Sequence, residues 1–118
     1  MRTMLNAKLH RATITECDLE YEGSLSVDSE LLKAADILPW EKVYVLNCNN
    51  GARFATYAIP AEAGSGVIGL NGAAARLGHR GDIVIIVTYK NVQSEDLLKH
   101  KPRIILLDEN NKIRKNEK

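Results

Sequence analysis

The chain has 118 residues, and its 16 Lys and Arg against 15 Asp and Glu leave a formal charge of +1. That length suits one domain and hides roughly two-thirds of the unfolded surface, so a core needs neither disulfide nor structural metal. Near-neutrality and only 5% aromatic residues provide no basic stripe with stacking rings, which argues against nucleic acid or an anionic membrane as partner.

"MLNAKLHRATIT" alternates with period two, putting Leu5, Ala7 and Leu9 on one face and Asn6, Lys8 and His10 on the other, as in a half-buried strand. "SLSVD" reads as a short strand leading into a helix at "DSELLKAAD". Asp28 is placed to cap that helix, Val27 and Leu32 to staple its start, and Pro39 to follow its end. "KVYVLNCNNGARFATYAI" is a hairpin, with Asn50-Gly51 expected in a two-residue type I′ turn. Arg53, Ala55 and Tyr57 then share a face with Tyr44, Leu46 and Cys48, while Thr56 points the other way. "GVIGL" follows as a strand, "NGAAARL" as a turn into a short helix, "DIVIIVTY" as a fully buried strand, "SEDLLKH" as a short helix and "RIILL" as a strand. The tail from about residue 109 to 118 is almost devoid of apolar residues and is expected to be mobile. Many short strands with three small helices predict a mainly β domain, a small mixed barrel.

Cys17 and Cys48 fall in no metal-ligand spacing and read as small core fillers, and His10, His79 and His100 are scattered. No metal site is predicted. "MRTMLNAKLHR" lacks the apolar stretch of a secretory signal, and no apolar run nears the ~20 residues that span a bilayer, so a soluble cytoplasmic protein is expected.

The stretch "YEGSLSVD" carries the sharper chemistry. On its own Gly23-Ser24 is a turn. Alternatively, the Ser24 hydroxyl attacks the preceding carbonyl and converts the amide to an ester. Elimination and hydrolysis then break the chain and leave a ketoacyl group on the new N-terminus. That attack needs a distorted backbone, which glycine tolerates, and donors at the developing oxyanion. "NGAAAR" offers exposed backbone N–H groups for a carbonyl or carboxylate oxygen. Lys8, His10 and Arg53 read singly as solvated surface groups, and Tyr57 with Tyr44 as a cross-strand packing pair.

Taken in order, "RTMLNAKLHRATIT", "DLEYEGSLSVD", "NCNNGARFATYAI", "NGAAARL" and "GDIVII" resemble the pyruvoyl-dependent aspartate 1-decarboxylases over residues 1–89. The resemblance implies a double-psi β-barrel, assembled as a homotetramer with active sites near subunit interfaces. It implies a proenzyme cut at Gly23-Ser24 into chains 1–23 and 24–118. Ser24 would become the covalent pyruvoyl group, which forms a Schiff base with L-aspartate and gives β-alanine for pantothenate and coenzyme A synthesis. Lys8 and Arg53 would hold substrate carboxylate, and the Ala73 and Ala74 backbone would face the substrate. Tyr57 would return the proton after carbon dioxide leaves, and Thr56 would assist cleavage at the scissile carbonyl. Gly23, Tyr21, His10 and Asn71 would surround the processing site. A maturation helper protein is compatible with this pattern but not indicated by it. Leu46 stands where the family can carry tryptophan, and Ala55 is smaller than its usual counterpart, changes that bear on packing and subunit contacts. A non-enzymatic β-barrel that assembles and binds a small ligand is the competing reading.

Overall fold

The computed structural model describes residues 1–114. Its strands are β1 (Arg2–Thr13), β2 (Glu16–Asp18), β3 (Ser24–Asp28), β4 (Lys42–Asn47), β5 (Arg53–Ala61), β6 (Ile68–Asn71), β7 (Ile83–Val92) and β8 (Arg103–Leu106). One α-helix, α1 (Ser29–Ala35), and two 3-10 helices, Gly72–Leu77 and Ser94–Lys99, connect them. The strands form one eight-stranded sheet in the order β2-β6-β3-β5-β4-β7-β1-β8. β1 with β8, β2 with β6 and β3 with β5 run parallel, and the remaining neighbours are antiparallel. β1 passes almost directly into β2. At that junction the Ile14 N–H bonds to Asp82, just before β7, and the Thr15 N–H bonds to Ile68 of β6. The chain thereby links the two halves of the sheet into a small barrel, and the expectation of a mainly β fold with short helices holds.

Period-two alternation builds the core. Leu9, Ile86, Val45 and Phe54 lie in one cross-strand row over β1, β7, β4 and β5. The first three are fully buried, together with Leu25 and Val27 of β3 and Ile68 and Leu70 of β6. The neighbouring row, Lys8, Val87, Tyr44 and Ala55, projects to the opposite face. β7 is less enclosed than its apolar run predicts, because Ile83 and Ile85 are half-buried and Tyr89 is exposed.

Asp28 caps α1, accepting from the Glu30 N–H at 2.9 Å. The helix ends ahead of Pro39 as expected, and the residue that stops it is Asp36. Asp36 takes a left-handed conformation with φ 58°, and the Ile37 N–H returns to the Leu32 carbonyl, so the helix stops well before Pro39. Pro39 instead opens a turn at 38–41, closed by the Glu41 N–H on the Leu38 carbonyl at 3.1 Å.

The β4–β5 loop also departs from the predicted turn. Leu46 pairs with Arg53 and Tyr44 with Ala55, so the connection widens to residues 48–51. The buried Asn47 side chain explains why: its oxygen accepts from Asn49 N–H at 2.8 Å, and its amide donates to Asp82 at 3.0 Å. Within the loop Gly51 alone has positive φ, at 76°. The register differs from the predicted one by two residues, an even step, so every side chain keeps its face. Cys48 sits exposed in this loop rather than filling core, and Cys17 is half-buried; both are free thiols.

Over 109–114 the tail is hydrogen-bonded to the rest of the fold. Asn111 is buried, accepting from the Thr13 N–H at 2.7 Å and donating to the Thr13 and Gly66 carbonyls, each at 2.8 Å. Residues 115–118, the rest of that expected tail, lie outside the described residues. Among the described residues no helix is long and apolar enough to cross a membrane.

Candidate active site

Ser24 opens β3 directly opposite Asn71 of β6. It is only 1% exposed and has φ 109°, a region that non-glycine residues rarely occupy. The sequence places the backbone distortion on Gly23, but the structure puts positive φ on Ser24, the residue bearing the hydroxyl. Asn71 Nδ2 donates to Ser24 Oγ at 3.1 Å and to Ser26 Oγ at 2.8 Å, so one buried amide fixes both hydroxyls.

Gly72 presses on the segment before the serine. Its φ is 62°, and a Cβ built there would lie 2.7 Å from Gly23 N, 2.8 Å from Gly23 Cα and 2.9 Å from the Tyr21 carbonyl oxygen. Backbone crosses backbone at that point, which requires glycine. The pair Asn71-Gly72 thus seats Ser24 and supports residues 21–23. Ala73, exposed, and Ala74, buried, follow in the first turn of the 3-10 helix. The Tyr21 ring is half in solvent.

β5 brings the next candidates. Leu25 pairs with Ala58 in the parallel β3–β5 ladder, so Ser24 and Tyr57 occupy the preceding positions on adjacent strands. Thr56 comes one residue earlier, and both Thr56 and Tyr57 are half-buried. The expected Tyr44–Tyr57 pair does not form. Tyr57 stacks on Trp40, with ring centroids 5.5 Å apart and 23° between planes, while Tyr44 meets Tyr89 edge-on at 5.3 Å. Lys42, not Tyr44, lies opposite Tyr57 because of the two-residue shift in register.

Lys8 and Arg53 lie elsewhere. Lys8 shares a row with Ala55, three strands away, so these positions are about 14 Å apart along the sheet, with Arg53 two residues further along β5. Arg53 and Tyr57, four residues apart on β5, are separated by about 13 Å along the strand. One chain therefore gathers Ser24, Asn71, Tyr57 and the Gly72 turn, while Arg53 stands apart from them along β5. Arg53 lines an open cleft of about 630 Å³ with Tyr44, Leu46, Phe54, Ala55, Tyr89 and Thr3. His10 lies two residues beyond Lys8, with its Nδ1 buried and lacking a hydrogen-bond partner among the described residues. Burial first, then Lys8 and Arg11, hold its pKa below the ordinary histidine value, which favours the neutral ring.

A family model described as "Aspartate decarboxylase" matches residues 1–114. The chain belongs to the aspartate decarboxylase family. An aspartate 1-decarboxylase of Caulobacter vibrioides is 58% identical over 113 residues, covering 96% of this chain and 96% of the relative. Its counterpart in Desulfotalea psychrophila is 55% identical, covering 97% and 96%. That of Geobacillus sp. (strain WCH70) is 54% identical, covering 95% and 88%. As a member of the aspartate decarboxylase family, the chain supplies two features that its sequence motifs did not reveal. One is the location of strain on Ser24. The other is Trp40, for which the only sequence signal is its place directly after Pro39 in a turn-forming stretch.

Proposed function

We propose that this chain is a pyruvoyl-dependent aspartate 1-decarboxylase that removes the α-carboxylate of L-aspartate as carbon dioxide and yields β-alanine for pantothenate synthesis. One observation carries the reading: a buried serine with φ 109° directly after the predicted scissile bond, its hydroxyl held by Asn71. Strain of this kind, on the order of 1–3 kcal/mol, is useful where a ground state must be raised toward reaction. Ser24 Oγ bonds to the Gly23 carbonyl carbon as the Gly23–Ser24 C–N bond breaks, and the hydroxyl proton passes to the freed nitrogen. Loss of the Ser24 Cα proton with cleavage of the Cβ–Oγ bond releases Gly23 as a carboxylate. Water then replaces nitrogen, as ammonia, and leaves the ketone. Thr56, next to Tyr57 on the strand beside β3, is assigned to the scissile carbonyl.

The residues fit a pyruvoyl group formed in place, since the Ser24 side is enclosed while Tyr57 on the adjoining strand remains partly accessible. Such a group supplies an electron sink beside the carbon that loses carboxylate. The chain's own residues do the rest. Tyr57 holds a phenolic proton at Oη and delivers it to the carbon that has lost carbon dioxide. Arg53 presents a planar fork suited to two parallel hydrogen bonds with a carboxylate, and Lys8 adds a second cation. The Ala73 and Ala74 backbone lies beside the Ser24 seat and bounds the substrate.

The distance of Arg53 from Ser24 along β5 supports a site completed by a second copy of the chain, in a homotetramer of double-psi barrels in the cytoplasm. A ligand-binding barrel without catalysis accounts for the Arg53 cleft but gives the strained Ser24 no use. Denaturing mass spectrometry of purified protein, with a β-alanine assay, tests the proposal. Two chains are expected, 1–23 and 24–118, the second beginning with a blocked, serine-derived group. Ser24→Ala should remain one chain and make no β-alanine. Uncut wild-type protein with full decarboxylase activity overturns the reading.

A further inference from the structure

The turn at 38–41 is built for a residue other than the one it holds. Pro39 occupies its second position, the Glu41 N–H closes it on the Leu38 carbonyl, and Trp40 at its third position has φ 75°. These are the features of a type II turn, whose third position calls for glycine or asparagine. A bulky aromatic residue at positive φ is a genuine outlier. Trp40 is also 73% exposed, so burial of its indole does not compensate for the strain within the chain.

The backbone around it is clamped all the same. The Trp40 N–H donates to the Ala58 carbonyl at 2.7 Å, and the Ala58 N–H donates to the Glu41 carbonyl at 3.0 Å. Glu41 Oε1 accepts from the Leu38 N–H at 2.9 Å and braces the other side of the turn. Ala58 follows Tyr57, so these bonds fix the turn against the segment of β5 that carries the phenol. The outcome is the near-parallel stack of Trp40 on Tyr57. Since strain is inferred here from an observed outlier, its use should be sought in what the outlier holds.

We infer that Trp40 is a positioning residue for Tyr57: the strained turn sets the indole against one face of the phenol and fixes the direction in which Oη delivers its proton. The inference rests on the assignment of Tyr57 as proton donor. A ring with one face covered loses much of its freedom to swing between rotamers, and proton transfer is sensitive to misplacement of its donor by about 1 Å. The role assigned to Trp40 runs through its stack on Tyr57.

Trp40→Gly separates this role from a structural one, because it installs the residue the turn prefers while deleting the stack. Its melting temperature should not fall. Its kcat per cleaved chain should drop about tenfold with KM for aspartate little changed, and Trp40→Phe should restore most of the rate. In a Tyr57→Phe background, Trp40→Gly should cause no further loss. Because Trp40 is the only tryptophan, its fluorescence reads the contact without any assay of activity. Its emission should change between the wild type and Tyr57→Ala, which removes the ring stacked on the indole. Full turnover by Trp40→Gly, or an equal fractional loss in the Tyr57→Phe background, overturns the inference. Full turnover by Tyr57→Phe removes the proton-donor assignment and the inference with it, even where the fluorescence contact persists.

Discussion

At Ser24 the hydroxyl, the backbone before it and the groups that restrain both come from two neighbouring strands and one tight turn. Asn71 fixes the oxygen from the side, and Gly72 supports the chain at Gly23 from below. On the proposed reading, the serine oxygen and the backbone before it are thus restrained on both sides of the Gly23–Ser24 bond. Gly72→Ala tests this directly. Its Cβ would meet Gly23 backbone at 2.7 Å in a φ of 62°, and neither atom is the flexible end of a side chain. The substitution should cost about 1–3 kcal/mol of stability and displace residues 21–23 from Ser24. A time course of denaturing gels should show slower appearance of the 24–118 chain. Cleavage at the wild-type pace would mean that support from Gly72 plays no part in the reaction. The motif "NGAAAR" announced a turn here, but contact between distant backbone segments leaves no local trace in composition.

The same contrast recurs among the elements. Alternation in β1 gave the buried face of Ala7 and Leu9 directly, and Asp28 was recognisable as a cap because helix starts have local chemistry. What escaped were long-range partners. Asn47 widens the β4–β5 loop by reaching Asp82, and Asn111 docks a polar tail by replacing backbone partners on Thr13 and Gly66. Asp28 also does more than cap α1. Its carboxylate accepts from Gly64 N–H at 3.0 Å and from Gly66 N–H at 2.9 Å, tying β3 and α1 to the loop before β6. Burial by itself raises its pKa, but the N–H groups of Gly66, Glu30 and Gly64, with Lys112 nearby, outweigh burial and lower it. The folded value then lies below the unfolded one near ~3.9. The linked stability is full above the unfolded value and is lost as pH falls through it toward the lower folded value. Asp28→Ala should cost about 3 kcal/mol at neutral pH. Urea midpoints measured from pH 7 down to 3 should fall less steeply for the variant than for the wild type. Parallel slopes would assign the acid sensitivity to other carboxylates.

For the whole molecule, the question is how the two cations proposed to hold carboxylate, on β1 and β5, would serve a serine on β3. Within a chain, Lys8 and Arg53 lie three strands apart, and neither is on a strand position beside Ser24. A rigid barrel does not close gaps of this size by side-chain motion, whereas the proposed symmetric oligomer would present the Arg53 face of one copy to the Ser24 region of another. The arrangement predicts complementation between two inactive variants. On the proposed reading, Ser24→Ala should form no ketone but retain Arg53, and Arg53→Ala should be cut at Gly23-Ser24 but lack the fork for carboxylate. Each alone should make little β-alanine. Co-expressed at equal levels and purified as mixed assemblies, they should regain up to about a quarter of wild-type turnover, because random placement pairs an intact Ser24 with an intact neighbouring Arg53 at one interface in four. The KM for aspartate of the recovered fraction should match the wild type, since each working interface has its full set of groups. A mixture no more active than its parents would put Ser24 and Arg53 of the same chain in one site, requiring β5 to bend or the barrel to open when substrate binds.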